Sequence, residues 1–345
     1  MNNKVTKPIP KKSNLYPKKN PSGHKLDTLA ELYESTKNTS EKKEQTTKSK
    51  LYKRARSKFF TNGLILKLVD VSNTSLSKSY WNSYHCASVI QQENEKMTSK
   101  YCNNRWCQVC NRIRTAKTIK GYLPQIQKFT DPYFITLTRP NVLADTLQFE
   151  IDYLLKQFRR VYRHFIDSKQ GLRGIRKIEC TYNPTRNDYH PHLHLIVDGK
   201  EKAEKIVELW LKYNSESTIK AQDTRPIQDD NAALELFKYF TKLTTKETIF
   251  GKSEYSIHPY ALNVIFESMR LRRVYQPMGI KKINTDVEPT EALFLDEKQN
   301  QVFDMWLFSM DDSDWVNTKG KKLTGYKPNA QILELLNIQQ NDNTK

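Results

Sequence analysis

Apolar and polar residues alternate along Tyr133-Phe134-Ile135-Thr136-Leu137-Thr138, the period of a half-buried strand, and Arg139-Pro140-Asn141 ends it. The period then changes. Leu147, Ile151, Leu154, Leu155, Phe158, Val161, Tyr162 and Phe165 recur three and four apart, which predicts a long amphipathic helix over 143–166. Gly171 and Gly174 mark a turn, and residues 175–182 read as a second strand. A short loop over 183–188 leads into a third strand over 189–197, and a connection of that length suits an antiparallel hairpin. A helix over 201–213 (Ile206, Val207, Leu209, Trp210, Tyr213) and a short strand within 216–225 follow. The succession strand, helix, strand, strand, helix, strand predicts an α+β fold of the ferredoxin-like, split βαβ kind with a central antiparallel sheet.

The flanks are less regular. Ile113, Ala116, Ile119, Tyr122, Leu123 and Ile126 predict a helix over 113–129, with Arg112, Arg114, Lys117 and Lys120 giving it a basic, DNA-facing side, and Asp131-Pro132 breaks it. Residues 58–85 mix a short apolar run (Leu64, Ile65, Leu66, Leu68, Val69) with Ser and Asn and read as strand and turn. Residues 231–242 read as a helix held to the sheet by Leu234, Phe237 and one of Leu236 or Phe240. Residues 259–275 read as a helix ending in Arg270, Arg272 and Arg273, which form either a phosphate-binding patch or a solvated face. A helix over 332–338 could contact a second copy of the chain, whereas Trp306, Phe308 and Trp315 among acids give no assignable pattern. The expected layout is a disordered basic arm over 1–55, a cysteine-rich module with its basic helix over 56–130, a central domain over 131–250, and a helical region over 251–345 for DNA binding or oligomerisation.

Composition narrows the partner. The 345-residue chain carries 57 Lys+Arg against 38 Asp+Glu, a formal charge of +19, which points to a polyanion, nucleic acid or anionic lipid. No apolar run approaches the roughly 20 residues that span a bilayer, and no apolar segment of a secretory signal follows the start, so a cytoplasmic, nucleic-acid-facing protein is expected. The first 50 residues are polar and proline-containing, with at most a short helix near 26–33. Their basic end (Lys42, Lys43, Lys48, Lys50, Lys53, Arg54, Arg56) either touches phosphates or is a solvated tail.

Three stretches carry candidate chemistry. In the strand over 189–197, His190, His192 and His194 fall at alternate positions and so share one face, with Leu193 and Ile196 towards the other or at its border. Imidazoles converging from one strand suit a metal ion, and three of the seven histidines in five positions exceed what an ordinary half-buried strand needs. Across the hairpin, Glu179 is either a further oxygen ligand or a strand-face glutamate facing water. Upstream, Cys102, Cys107 and Cys110 include a C-x2-C knuckle, and Cys86 is the fourth thiolate for one tetrahedral structural Zn2+, with His85 as its reserve. On the helix expected over 231–242, Glu235, Tyr239 and Lys242 share one face. A tyrosine hydroxyl is a weak nucleophile near pKa 10, so a cation and a metal beside it would be needed to favour its oxyanion and to neutralise a phosphate.

These motifs, in this order, resemble those of the plasmid rolling-circle replication initiators of small Gram-positive plasmids, members of the HUH endonuclease superfamily. Phe134-Ile135-Thr136-Leu137-Thr138 is similar to the first strand motif, and His190-Pro191-His192-Leu193-His194 to the His-hydrophobic-His motif. Glu235-Leu236-Phe237-Lys238-Tyr239-Phe240-Thr241-Lys242 is similar to the segment bearing the nucleophile, and Cys102, Cys107 and Cys110 to an upstream cysteine cluster. The likeness covers residues 86 to about 280 and leaves out 1–55 and 290–345. Pro191 departs from the pattern, which leaves His192-Leu193-His194 as the ligand pair.

The resemblance implies that His192 and His194, with Glu179 or His190, hold Mg2+ or Mn2+. Tyr239 then attacks single-stranded or hairpin origin DNA, leaving a 5′-phosphotyrosine link and a 3′-OH primer. It further implies duplex origin binding, a host helicase and DNA polymerase as partners, and a bacterial cytoplasm. Glu235 would activate water for the terminating cut; the alternatives are a second tyrosine for that cut, and a glutamate that merely pairs with a lysine on its helix. Relaxases and single-tyrosine transposases share such motifs. The non-catalytic alternative is a zinc-containing DNA-binding regulator with structural histidines.

Overall fold

A computed structural model describes residues 43–93, 96–249, 252–283 and 303–338. The arm expected over 1–42, with its short helix near 26–33, lies outside the described residues.

The first described segment overturns an expectation. Helices α1 (Lys43–Val69) and α2 (Ser77–Tyr84) occupy most of the stretch read as strand and turn, and residues 43–55 of the expected disordered arm are helical too. The helix follows from spacing wider than the local apolar run. Leu51, Ala55, Phe59, Leu64 and Leu68 are all buried, roughly one helical turn apart, together with Phe60 and Ile65. Strands β1 (Val89–Glu93) and β2 (Lys96–Ser99) and helix α3 (Gln108–Ile126) follow.

The central region is mixed α+β and antiparallel, as expected. It runs β3 (Pro132–Thr138), α4 (Leu147–Asp167), β4 (Gly174–Asn183), β5 (Asp188–Asp198), α5 (Lys200–Tyr213) and β6 (Asp223–Pro226). A 3-10 turn at Ile219–Ala221 takes part of the predicted last strand. After α6 (Asp230–Glu235) come the hairpin β7 (Thr245–Ile249) and β8 (Lys252–Ser256), helix α7 (Pro259–Met269) and strand β9 (Tyr275–Met278). The five-stranded sheet has the order β6-β3-β5-β4-β9, every pair antiparallel.

Period two sorts this sheet into two faces. Ile135, Leu137, Ile178, Leu193, Leu195 and Val197 join a core with α4, α5 and α7. Phe134, Ile175 and Ile196 join a second core with Ile119 and Leu123 of α3 and with Leu234, Leu236 and Phe237. Ile196 therefore shares the histidine face rather than the opposite one. Each such apolar side chain contributes about 1.5–3 kcal/mol by leaving water, so α3 and the segment after β6 are held on the histidine face without covering all of it.

Two further expectations change. The predicted helix over 231–242 stops at Glu235, and the chain continues as turns because Leu236 and Phe237 bury into the second core and the Phe240 carbonyl accepts from Cys180 N–H at the end of β4 (3.0 Å). The C-terminal region is not purely helical: β10 (Phe303–Ser309) pairs with β1 and with β11 (Asp314–Asn317), completing a four-stranded sheet β11-β10-β1-β2. Helix α8 (Ala330–Leu336) buries Ile332, Leu333 and Leu336, with Leu336 lying over Gly63 of α1. The apolar side expected to meet a second copy is used inside the chain.

Candidate active site

The register of β4 and β5 sets Glu179 opposite His192 and Lys177 opposite His194, and β3 sets Thr136 opposite His194. His192 Nδ1 lies 2.9 Å from the carbonyl oxygen of His190. A carbonyl only accepts, so Nδ1 carries the proton and Nε2 keeps its lone pair. That Nε2 lies 3.1 Å from Nε2 of His194, whose Nδ1 meets the Thr136 hydroxyl at 3.1 Å. Glu179 Oε2 stands 3.6 Å from His194 Nε2. One ligand atom from each of Glu179, His192 and His194 lies within 4.8 Å of the others, a set that could hold a metal ion. Its chemistry fits: two neutral imidazoles and one carboxylate converge on one point.

The electrostatics agree. Burial pushes His194 down to about 3 and lowers His192 as well, keeping both rings neutral. Burial alone would raise the Glu179 carboxyl, but Lys177 and then His192 pull it down to about 2. Lys177 is fully buried, its Nζ 2.6 Å from Glu179 Oε2 and 3.3 Å from the Tyr239 carbonyl. It is absent from the sequence-derived site, and its only signal was its place two residues before Glu179 on one strand face. His190 does not join the ligand set. Its Nδ1 meets Asn141 Oδ1 at 2.8 Å, and its ring stacks on His192 with centroids 4.9 Å apart.

The residues after α6 are not arranged as one helical face. The half-buried Tyr239 donates its hydroxyl proton to the Arg105 carbonyl. Burial drives this phenol far above its ordinary value. Glu235 pairs with Lys238. Lys242 acts electrostatically on His192 and lines a cavity of about 870 Å³ with His190, Asn141, Tyr182, Arg186 and Lys246.

The cysteines converge as expected. The Sγ atoms of Cys86, Cys102, Cys107 and Cys110 all lie within 4.8 Å of one another and could hold a metal ion. Cys86 to Cys110 is 3.4 Å and Cys102 to Cys110 is 3.6 Å, close to the roughly 3.8 Å edge of a tetrahedral zinc–thiolate site. Backbone N–H groups of Cys102, Asn103 and Asn104 donate to Cys86, Cys110 and Cys102 sulfurs at 3.3, 3.3 and 3.4 Å. Proton sharing drives Cys102 down, first through Cys107, and Cys107 up, first through Cys102. His85 is not in the set and stacks near Trp81. Lys58, buried between Asn62 Oδ1 and Ser88 Oγ at 3.0 Å each, is a nearby cation that the sequence did not mark. Burial lowers it to about 8, with Cys86 opposing.

The arginines divide. Arg114 Nη2 donates to the Asn103 carbonyl at 2.6 Å. Arg112 and Lys117 are half-buried on α3. Arg270 and Arg273 are exposed, and Arg272 pairs with Asp152. No helix among the described residues is long and apolar enough to cross a membrane.

Comparison with known proteins accords with this geometry. The Rep_1 family, described as "Replication protein", matches residues 94–305. The chain is similar to a "Protein rep" of Staphylococcus aureus, 33% identical over 141 residues, covering 38% of this chain and 57% of that protein. A "Protein rep" of Streptococcus pneumoniae serotype 2 (strain D39 / NCTC 7466) is 26% identical over 185 residues, 48% of this chain and 53% of that protein. The chain thus spans about half the length of these relatives. No solved structure matches. The chain belongs to the Rep_1 family of replication proteins, and its likeness to plasmid replication initiators is borne out.

Proposed function

We propose that the chain is a rolling-circle plasmid initiator that binds double-stranded origin DNA and nicks one strand, an HUH-type endonuclease. The observation that carries this reading is the convergence of His192 Nε2, His194 Nε2 and a Glu179 oxygen on one face of a sheet in a Rep_1 chain. The order β6-β3-β5-β4 within the succession β3-α4-β4-β5-α5-β6 is what a split βαβ, ferredoxin-like core would have.

Mg2+ or Mn2+ bound by these three side chains would supply Lewis-acid polarisation of the scissile phosphate. The protein residues do the rest. Lys177 holds Glu179 in place, and the His190 carbonyl and Thr136 hydroxyl orient the imidazoles. Tyr239 gives its phenolic proton to solvent and forms the new O–P bond as the bond from phosphorus to the 3′-oxygen breaks, and that oxygen takes a proton from solvent to become the primer. The hydroxyl must first leave the Arg105 carbonyl, by rotation of the half-buried Tyr239 side chain on a backbone pinned by Phe237 and Phe240. Lys242, beside His192, favours the phenolate and neutralises the phosphate. Glu235, on the last residue of α6, directs water at termination. Arg112, Arg114, Lys117, Arg270 and Arg273 track phosphates, while Arg272 is committed to Asp152. The cysteine cluster takes a structural Zn2+, which fixes the module that carries Arg105. A host helicase and polymerase act on the opened origin in the bacterial cytoplasm.

The test is nicking of a supercoiled plasmid carrying the cognate origin. Wild type should nick with Mn2+ and stop in EDTA, and His192→Ala or His194→Ala should lose at least about 100-fold. Nicking that persists in EDTA with both histidines replaced would contradict the proposal.

A further inference from the structure

Helix α7 ends at Met269, and four residues, Arg270-Leu271-Arg272-Arg273, turn the chain towards β9. Leu271 stands at the tip, 93% exposed, with φ +63°. Both facts run against its chemistry. An L side chain in the left-handed region meets the following carbonyl oxygen, and Gly or Asn is favoured there. A leucine in full solvent also gains nothing from burial.

The turn is braced from several sides, so the conformation is imposed. Arg105 Nη1 donates to the Met269 carbonyl at 3.0 Å. Arg272 grips Asp152 of α4 with Nε (2.7 Å) and Nη2 (2.5 Å), and its Nη1 donates to the Arg270 carbonyl at 3.0 Å. On the far side, Ile178 N–H of β4 donates to the Val274 carbonyl at 3.0 Å.

Around the tip the charge is positive. Arg270 and Arg273 are exposed and form no ion pair among the described residues. Arg176 of β4, buried opposite Gln276 of β9, has Nε and Nη1 without a hydrogen-bond partner. Burial lowers it to about 10, and Arg273 pushes the same way. A rigid apolar tip between unneutralised arginines matches a duplex, whose phosphates lie outside an apolar stack of bases.

We propose that Leu271 is a wedge that enters a base step of the origin duplex, with Arg270 and Arg273 on the flanking phosphates, and so helps to open the strand that will be cut. This rests on the reading of the protein as an origin-nicking enzyme. Val274 is three positions on from Leu271, at most about 10 Å of chain, and it lies beside Ile178, the neighbour of Glu179 in β4. The opened step is therefore close to the cut.

The experiment places 2-aminopurine at single positions around the nick site of a linear origin duplex and adds the full-length chain without metal. Wild type should raise the fluorescence several-fold on binding, as an unstacked base requires. Leu271→Asn suits the backbone and should keep the wild-type melting temperature. It should lose the fluorescence rise while still shifting the duplex in a gel. Leu271→Met should retain the rise. With Mn2+ added, Leu271→Asn should lose about tenfold more nicking on duplex than on the same strand presented single. No rise with wild type, or a full rise with Leu271→Asn, overturns the wedge. Failure of wild type to cut even the single strand would instead overturn the nicking reading, and the fluorescence would still decide the wedge.

Discussion

Lys177 is a lysine with no exposed surface, bonded to a carboxylate that also faces His194. Removing the lysine alone leaves a largely buried Glu179 without its cation. Lys177→Met should lower the unfolding free energy by about 3–5 kcal/mol, read from urea denaturation, and Lys177→Met with Glu179→Gln should recover most of it. A single variant as stable as wild type would show that the pair carries no such strain. The two histidines of the candidate site were legible in the sequence, because period two puts His192 and His194 on one face whatever the tertiary structure. Lys177 was not, since nothing in a sequence distinguishes a lysine that is buried with a partner from one on a solvated strand. His190 looked equivalent to its neighbours. Asn141, which draws its ring away, lies 49 residues earlier in the chain.

At the scale of elements, strong periodicity was a good guide where one face met one core. Helices α4 and α5, strands β3 to β5 and their hairpin all lie within a few residues of expectation. It failed where burial surrounds the element. In α1, Lys58, Thr61 and Asn62 are buried as well as the apolar residues, so no polar face shows the helical period. It failed again after Glu235, where tertiary contacts of Phe237 and Phe240 override local helix propensity. The loss of that helix bears on Glu235, which pairs with Lys238 at the end of α6. An exposed pair of this kind contributes little stability, so the glutamate is free to serve water activation. Glu235→Gln should leave the first nick within about twofold of wild type, since a general base for water acts only at termination. Over-length displaced strands should then accumulate in a replication assay. Normal-length products from this variant would assign termination elsewhere, with Tyr213 the candidate.

Across the whole molecule, the two ends of the described chain meet. Strand β10 completes a sheet with β1, and Trp315, fully buried, donates from Nε1 to the Ala87 carbonyl at 2.8 Å. No sequence window spans that pairing, which is why the stretch with Trp306 and Trp315 was unreadable. The cysteine cluster lies in the same module, and the carbonyl of Arg105, between Cys102 and Cys107, accepts the hydrogen bond of the Tyr239 hydroxyl. A metal ion held there would contribute folding free energy to the module. One zinc per chain should appear in elemental analysis, and Cys107→Ser should lose it and lower the melting temperature by several degrees. Equal stability with and without zinc would remove the structural role.

The central claim is that Tyr239, its hydroxyl held by the Arg105 carbonyl in the free protein, becomes the nucleophile at the Glu179–His192–His194 site. It is tested most directly by trapping the covalent adduct with a single-stranded origin oligonucleotide and Mn2+, and mapping the modified peptide. A 5′-phosphotyrosine at Tyr239, abolished by Tyr239→Phe and by EDTA while origin binding persists, is the predicted result. An adduct on Tyr182, Tyr189 or Tyr213, or undiminished adduct in Tyr239→Phe, would contradict it.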